Sequence, residues 1–456
     1  MEKLLHFLWA NKMLPLKMLR TTQSQPLEVI DLGIHNTNAG PDFLNAKIKI
    51  GSTIWVGHVE IHVASSDWYK HQHHHNPAYD MVVLHVVQCA DKEVFNSRGE
   101  SIPQLEISVP SYILDKYESF QKNNSLFSCK DVVKNLPRLI VHAWLDALCC
   151  ERLEQRAEQV YERLRKQEYN WEGCLFVTIA RNFGFGLNGD VFESWAYSIP
   201  FHAIEKHRDN LLQVEALFLG QAGLLDERCI AEKNKAAVLS DAYYNELKRE
   251  YAFLARKFNL NPIPYYYWKF LRIRPASFPH RRIAQLAYLY HSKEIKLSNL
   301  LEMDSINDIN KLITLQTSNY WKAHTQFGIS TRVSQSKPTS STMLLIALNT
   351  VVPIIYAFGK YRLTDLYKDK AYRLLQGYPA ENNSIIRSWE QCGIKPSHAA
   401  DSQALIHLKK EYCEKKKCLQ CRFGYEVLRG RFTIVNESTS QPSNYGKSDI
   451  KNRKKI

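Results

Sequence analysis

Hydrophobic and polar positions follow two periods along this chain, and the change falls near residue 112. Residues 2–20 carry apolar side chains at helical spacing and predict an amphipathic first helix. Pro26 admits a strand at Leu27–Leu32, and a polar, turn-rich loop runs from Gly33 to Gly40. Leu44–Ile50 and Ile54–Val63 are strand-like runs joined at Gly51-Ser52, which predicts a hairpin. On the second run Trp55, Gly57, Val59, Ile61 and Val63 share one face, and Ile54, Val56, His58, Glu60 and His62 share the other. Met81–Val87 is almost continuously apolar, as in a strand buried on both faces. Lys92–Asn96 and Gln104–Val109 close the expected sheet around Ser97-Arg98-Gly99.

Beyond that point the period becomes helical, from Arg138–Gln167 through Ile204–Leu219, Ile230–Phe258 and Thr342–Tyr356 to Asp401–Tyr412. The fold class expected is therefore α/β plus all-α. Residues 1–112 form a mixed-sheet module, residues 113–432 a larger helical domain, and residues 433–456 a disordered basic tail poor in hydrophobes. No apolar run reaches the roughly 18–20 residues of a membrane span. Met343–Phe358, interrupted by Asn349 and Pro353, is expected as a buried helix. The N-terminus lacks a small-residue cleavage site, so it is read as a helix of the fold and not as a signal peptide.

Length and composition narrow the class. A chain of 456 residues with 45% hydrophobic content builds two or three cores and is not a disordered chain. The net charge of +14, of which the tail after Asn444 supplies at most +4, favours polyanionic partners, nucleic acid first. Ten cysteines in a large chain read as reduced thiols of a cytoplasmic protein, some of them metal-bound, and not as a disulfide framework.

Candidate chemistry gathers on the hairpin. Asp42 opens one strand and Glu60 lies 18 positions on, with His62 two residues later on the same face. Two carboxylates on adjacent strands suit Mg2+ or Mn2+, hard ions that take oxygen ligands. Seven of the 17 histidines (His58, His62, His71, His73, His74, His75 and His85) fall between residues 58 and 85. His58, Glu60 and His62 on one strand face offer a ligand set for zinc, manganese or iron. His74, His75 and His85 read better as loop and core histidines. Near the C-terminus Cys413, Cys418 and Cys421, with Cys392 upstream, offer four thiolates for Zn2+ or an iron–sulfur cluster. Arg272, Arg274 and Arg281, interleaved with Tyr265–Phe270 and Pro279, are candidate phosphate-pairing cations beside stacking surfaces. Asn182–Gly189 lacks the preceding strand and the Lys-Ser/Thr of a phosphate loop and reads as a turn between helices.

Pro41-Asp42 followed by Glu60-Ile61-His62, in the order helix, strand, strand with Asp, strand with Glu, buried strand, resembles the core of the PD-(D/E)xK nuclease superfamily. That resemblance implies a restriction-endonuclease-like module. In it Asp42 and Glu60 hold a divalent metal, and His62, where the superfamily usually has Lys, acts as water-orienting base or third ligand. His58, His71 and His73 contact metal or substrate, and Glu2 is the extra acid of the first helix. The whole chain is also similar to a bacterial family catalogued only as a domain of unknown function. That similarity rests on Gly40–Ala46, Gly57–His62, Asp67-Trp68 with His71 and His73, Ser402–Leu405 and Cys413–Cys421. The implied activity is metal-dependent phosphodiester hydrolysis. Two alternatives stand beside it: an inactive nuclease-like adaptor, and a His/Glu transition-metal enzyme acting on a small molecule.

Overall fold

The structure is a computed structural model that describes residues 1–14, 19–122, 129–184, 186–313, 316–331 and 340–430. The chain forms two units. One comprises Met1–Pro137 together with Lys410–Ile456, and the other Arg138–Lys409. The expected boundary at 112/113 is thus displaced. The helices after residue 112 and the C-terminal segment belong with the sheet because their apolar residues, among them Ile113, Phe120, Val427 and Leu428, enter its core. The expected tail at 433–456 lies outside the described residues.

In the first unit, helix α1 (Glu2–Ala10) is shorter than expected, ending where Lys12 turns left-handed at φ 51°. Its Leu4, Leu5, Leu8 and Trp9 are fully buried, and Trp9 Nε1 donates to Leu32 O at 3.2 Å. The strands are β1 (Leu19–Arg20), β2 (Pro26–Asp31), β3 (Ile34–His35), β4 (Phe43–Ile50), β5 (Thr53–Ala64), β6 (Val82–Cys89) and β7 (Gln104–Glu106). They lie in the order β1-β2-β4-β5-β6-β7, with β3 beside β4. Pairing is antiparallel from β1 to β5 and parallel from β5 through β6 to β7, so this is a mixed sheet. Lys92–Asn96 is not a strand. Only an isolated bridge joins Phe95 to Ser101 there.

The alternation on β5 holds. Val59 and Ile61 join Phe43, Ile48, Leu84 and Val86 in the core under α1, while Glu60 and His62 face the other way. Gly57 is required where β5 begins to run beside β6: a Cβ there would sit 2.4 Å from Val83 Cγ1. The crossover from β5 to β6 carries helix α2 (Asp67–Lys70) and short 3₁₀ turns at His73–His75 and Pro77–Tyr79. A second small core of Trp68, Tyr79, Val82, Val94 and Ile102 pins it.

The second unit is helical, apart from a two-stranded ribbon at His324–Gln326 and Ile329–Ser330, and begins with a 29-residue helix, Arg138–Lys166. In its core Tyr290 meets Phe176 and Trp195 meets Phe218 edge to face, with Phe176 tilted against Trp195. The apolar run expected as a buried helix is continuous from Ser340 to Tyr361. A π-turn at Ala347–Val351 directly before Pro353 absorbs the missing proline donor. Among the described residues, this is the one helical run long and apolar enough to cross a membrane, and 72% of its most apolar window is buried.

Candidate metal centre

The polar face of β5 meets the crossover loop, and three imidazoles gather there with Glu60 beside two of them. Glu60 is 5% exposed and His62 is 2% exposed. The ligand atoms of His62, His71 and His73 all lie within 4.8 Å of one another. Glu60 Oε1 is 3.5 Å from His62 Nε2 and 3.4 Å from His73 Nε2, and His62 Nε2 is 3.1 Å from His71 Nδ1. The loop reaches this position because Gln72 adopts φ 61°, which reverses the chain between His71 and His73. Trp68 and Tyr79 then pack against the His73 ring, Tyr79 stacking on it at 3.8 Å. His71 is exposed, so the cluster has a solvent side.

Asp42 stands next to this group and is tied to it through the backbone. Its N–H donates to Glu60 Oε2 at 3.0 Å, and its Oδ2 accepts from the Ile61 N–H at 2.9 Å. On the helix side His6 Nε2 approaches Asp42 Oδ2 at 3.2 Å. Glu2 lies near enough to act electrostatically on both His6 and Glu60.

Burial and repulsion tune these groups in opposite directions. Burial, with the Asp42 carboxylate alongside, pushes Glu60 up to about 8. Burial, with His85, His73 and His71 around it, holds His62 down to about 3. His85 is likewise held down to about 3 by burial, and its Nε2 lies 2.9 Å from His62 Nδ1. Burial lowers His73 too. For His6 burial works the other way, but the hydrogen bond to Asp42 and the charge of that carboxylate raise it above its ordinary value.

Neutral imidazole is the ligand form of histidine. Three imidazole nitrogens and one carboxylate oxygen form a donor set of the kind borderline transition ions take, more than the all-oxygen set Mg2+ prefers. Two buried features fit such an occupant: the His73 Nε2 has no hydrogen-bond partner, and Glu60 Oε1 faces two imidazoles. Bound there, the ion would be held by Glu60, His62, His71 and His73. His85 would fix the His62 ring from behind, as outer partners of ligating histidines do.

Several expected site residues fall elsewhere. His58 does not join the cluster. Its Nδ1 accepts from the Asn45 N–H at 3.2 Å and braces a bulge in β4 where Asn45 sits at φ 58°. Arg281 is 7% exposed on the helix Pro279–His291, whose first nine residues are all buried, so it does not present a surface cation. Arg272 and Arg274 are exposed on a turn that also exposes Tyr266, Tyr267 and Leu271. Cys392 is buried at the end of a helix of the second unit, whereas Cys413, Cys418 and Cys421 belong to the first. His74 and His75 stack on each other outside the cluster.

Sequence reasoning missed His6 and placed His85 in the core without a role. A histidine four residues after Glu2, set among Leu4, Leu5, Phe7 and Leu8, was the available signal for His6. For His85 it was a polar residue inside the continuous run Met81–Val87.

Fold and cluster together define a mixed-sheet α/β unit with a buried histidine–carboxylate centre, joined to a helical unit. Residues 2–384 match the family described as "Protein of unknown function (DUF2851)", and the chain belongs to that family. The match ends before the C-terminal segments Ser402–Leu405 and Cys413–Cys421. No curated protein and no solved structure matches the chain.

Proposed function

We propose that this protein is a divalent-metal-dependent phosphodiesterase acting on nucleic acid, with its ion held by Glu60, His62, His71 and His73. The observation that carries the reading is the approach of His62 Nε2 and His73 Nε2 to one carboxylate oxygen of Glu60, beside Asp42 on the neighbouring strand. The order of elements supports it. A helix, antiparallel strands bearing Asp42 and Glu60, a crossover, and a strand parallel to β5 follow the succession of the PD-(D/E)xK core.

This reading assigns His62 a ligand's role. A ring held down to about 3 is a poor general base near neutral pH, because it does not retain the proton it takes. The ion would polarise the scissile phosphate and lower the pKa of a water. Asp42, oriented by the Ile61 N–H and by His6, stands beside the cluster and would position that water. Manganese or zinc suits the donors better than magnesium. The net charge of +14 and exposed Arg272 and Arg274 supply attraction for the phosphate backbone.

The test is cleavage of single- and double-stranded DNA and RNA by the purified chain with Mn2+, Zn2+, Mg2+ or EDTA, beside Glu60→Ala. Cleavage with Mn2+ or Zn2+ that vanishes in the variant is expected. Bound metal without cleavage of any nucleic acid would overturn the substrate class. It would then favour a small-molecule metal enzyme, the second reading that the three-imidazole donor set supports. Salt-sensitive nucleic-acid binding without metal or turnover would instead favour an adaptor.

A further inference from the structure

We infer that the first unit carries a second, separate centre: a soft metal held by four thiolates, Cys129, Cys413, Cys418 and Cys421. The spacing of the last three was legible in the sequence, but the fourth member comes from far upstream and replaces Cys392. Cys129 immediately precedes the helix Lys130–Val133, and its carbonyl accepts the N–H groups of Val132 and Val133 at 3.2 and 3.0 Å. That helix packs against the helix Arg422–Arg429, which Cys421 immediately precedes. Cys129 and Cys418 also pack against the same apolar core, beneath the sheet.

The backbone around the three C-terminal cysteines is shaped to present them together. Lys416 sits at φ 51°, and the Lys417 N–H donates to Tyr412 O at 2.9 Å, which turns the chain back from Cys413 to Cys418. The Cys421 N–H donates to Cys418 O at 3.2 Å, closing the C-x2-C turn. Gly424 lets the helix Arg422–Arg429 lie against that turn, since a Cβ there would fall 2.0 Å from Cys418 O. Lys416 Nζ donates to Gln121 O, fastening the loop to the helix that precedes Cys129 in sequence.

Four thiols gathered in a mostly buried place repel one another once ionised. Cys129 and Cys418 sit against an apolar core, where a thiolate also loses solvation. None of the ten cysteines is in a disulfide. A soft cation removes both penalties, as each thiol gives up its proton and bonds to the metal. Zinc and a [4Fe–4S] cluster share this four-thiolate chemistry. Either would clamp residues 410–430 onto the sheet unit, with Val427 and Leu428 in its core.

The test is metal analysis of the full chain, aerobically and anaerobically purified, beside Cys129→Ser, Cys418→Ser and Cys392→Ser. The difference between wild type and Cys129→Ser should be about one zinc per chain, or about four irons with labile sulfide and brown colour. Cys418→Ser should lose the same metal, and Cys392→Ser should keep it. His73→Ala should also keep it, which separates this centre from the histidine cluster. If the serine variants do not fold, alkylation of wild type with and without chelator replaces them. Chelation should then accelerate labelling of Cys129, Cys413, Cys418 and Cys421 and leave Cys392 unchanged. Absence of metal in both preparations, loss in Cys392→Ser, or labelling indifferent to chelator would overturn the proposal.

Discussion

The two units treat their buried ionisable groups differently. In the helical unit several such groups have a partner, although burial holds His280 down to about 3 there and pushes Glu215 up to about 7. Arg163 meets Glu193 at 2.8 Å, Lys370 meets Asp304 at 2.9 Å, and Glu215 accepts the Tyr243 hydroxyl at 2.8 Å. In the sheet unit Glu60, His62, His73 and His85 face one another with like or neutral neighbours, and their protonation is driven to opposite extremes. Pairing of the first kind holds a scaffold together. The second kind weakens the fold unless something further binds, which is why perturbed groups gather at functional sites. The contrast separates residues whose loss should cost stability from those whose loss should cost function.

The largest expected effect is on Glu60. Glu60→Ala should reduce metal-dependent cleavage more than about 100-fold, beyond the range of an outer partner, while the chain stays folded. An unfolded variant, read by circular dichroism, would place Glu60 with the scaffold instead. Glu193→Ala should do the reverse. It leaves Arg163 and Arg181 without their shared carboxylate and should destabilise the helical unit by about 2–3 kcal/mol, with metal affinity unchanged. Calorimetric melting and metal titration of this one variant check both halves of the contrast.

Next in size is His85. His85→Asn should weaken binding at the histidine cluster by about 10–100-fold, because the His62 ring loses the partner that orients it. Undiminished affinity would make His85 a filler of the core.

The metal-free protein should also show a pH signature. Glu60 is raised from 4.5 to about 8. Between those values the folded chain holds a proton that the unfolded chain has lost. Its stabilising contribution is complete below 4.5 and lost as pH rises through about 8. His62, lowered from 6.5 to about 3, works oppositely, contributing above 6.5 and losing that contribution as pH falls toward 3. In EDTA, then, wild type should lose stability relative to Glu60→Gln as pH rises from about 5 to about 8. A flat difference in urea unfolding would contradict the buried, protonated carboxyl. The smallest effect belongs to Arg272→Ala with Arg274→Ala: a few-fold loss of nucleic-acid affinity and a salt dependence shallower by up to about two.

What the sequence disclosed depended on how far apart the partners lie. Glu60, His62, Val59 and Ile61 were assigned to opposite faces correctly because alternation along one strand is a local property. The hairpin β4–β5 and the buried strand β6 were readable for the same reason. That His71 and His73 would meet His62 was not, since it depends on the left-handed Gln72 and on packing of Trp68 and Tyr79. Arg281 looked like a surface cation beside aromatics, but the helix it occupies is enclosed on all sides. The Cys129 proposed in place of Cys392 meets the same limit, because no spacing rule selects a partner from another part of the chain.

Titration of the metal-stripped chain with Mn2+ or Zn2+ at pH 8, followed by calorimetry beside Glu60→Ala and His73→Ala in a Cys129→Ser background, tests the central claim most directly. About one site per chain is expected, strongly weakened in both variants. Binding of equal strength in all three proteins, or in none, would contradict a centre built on Glu60, His62, His71 and His73.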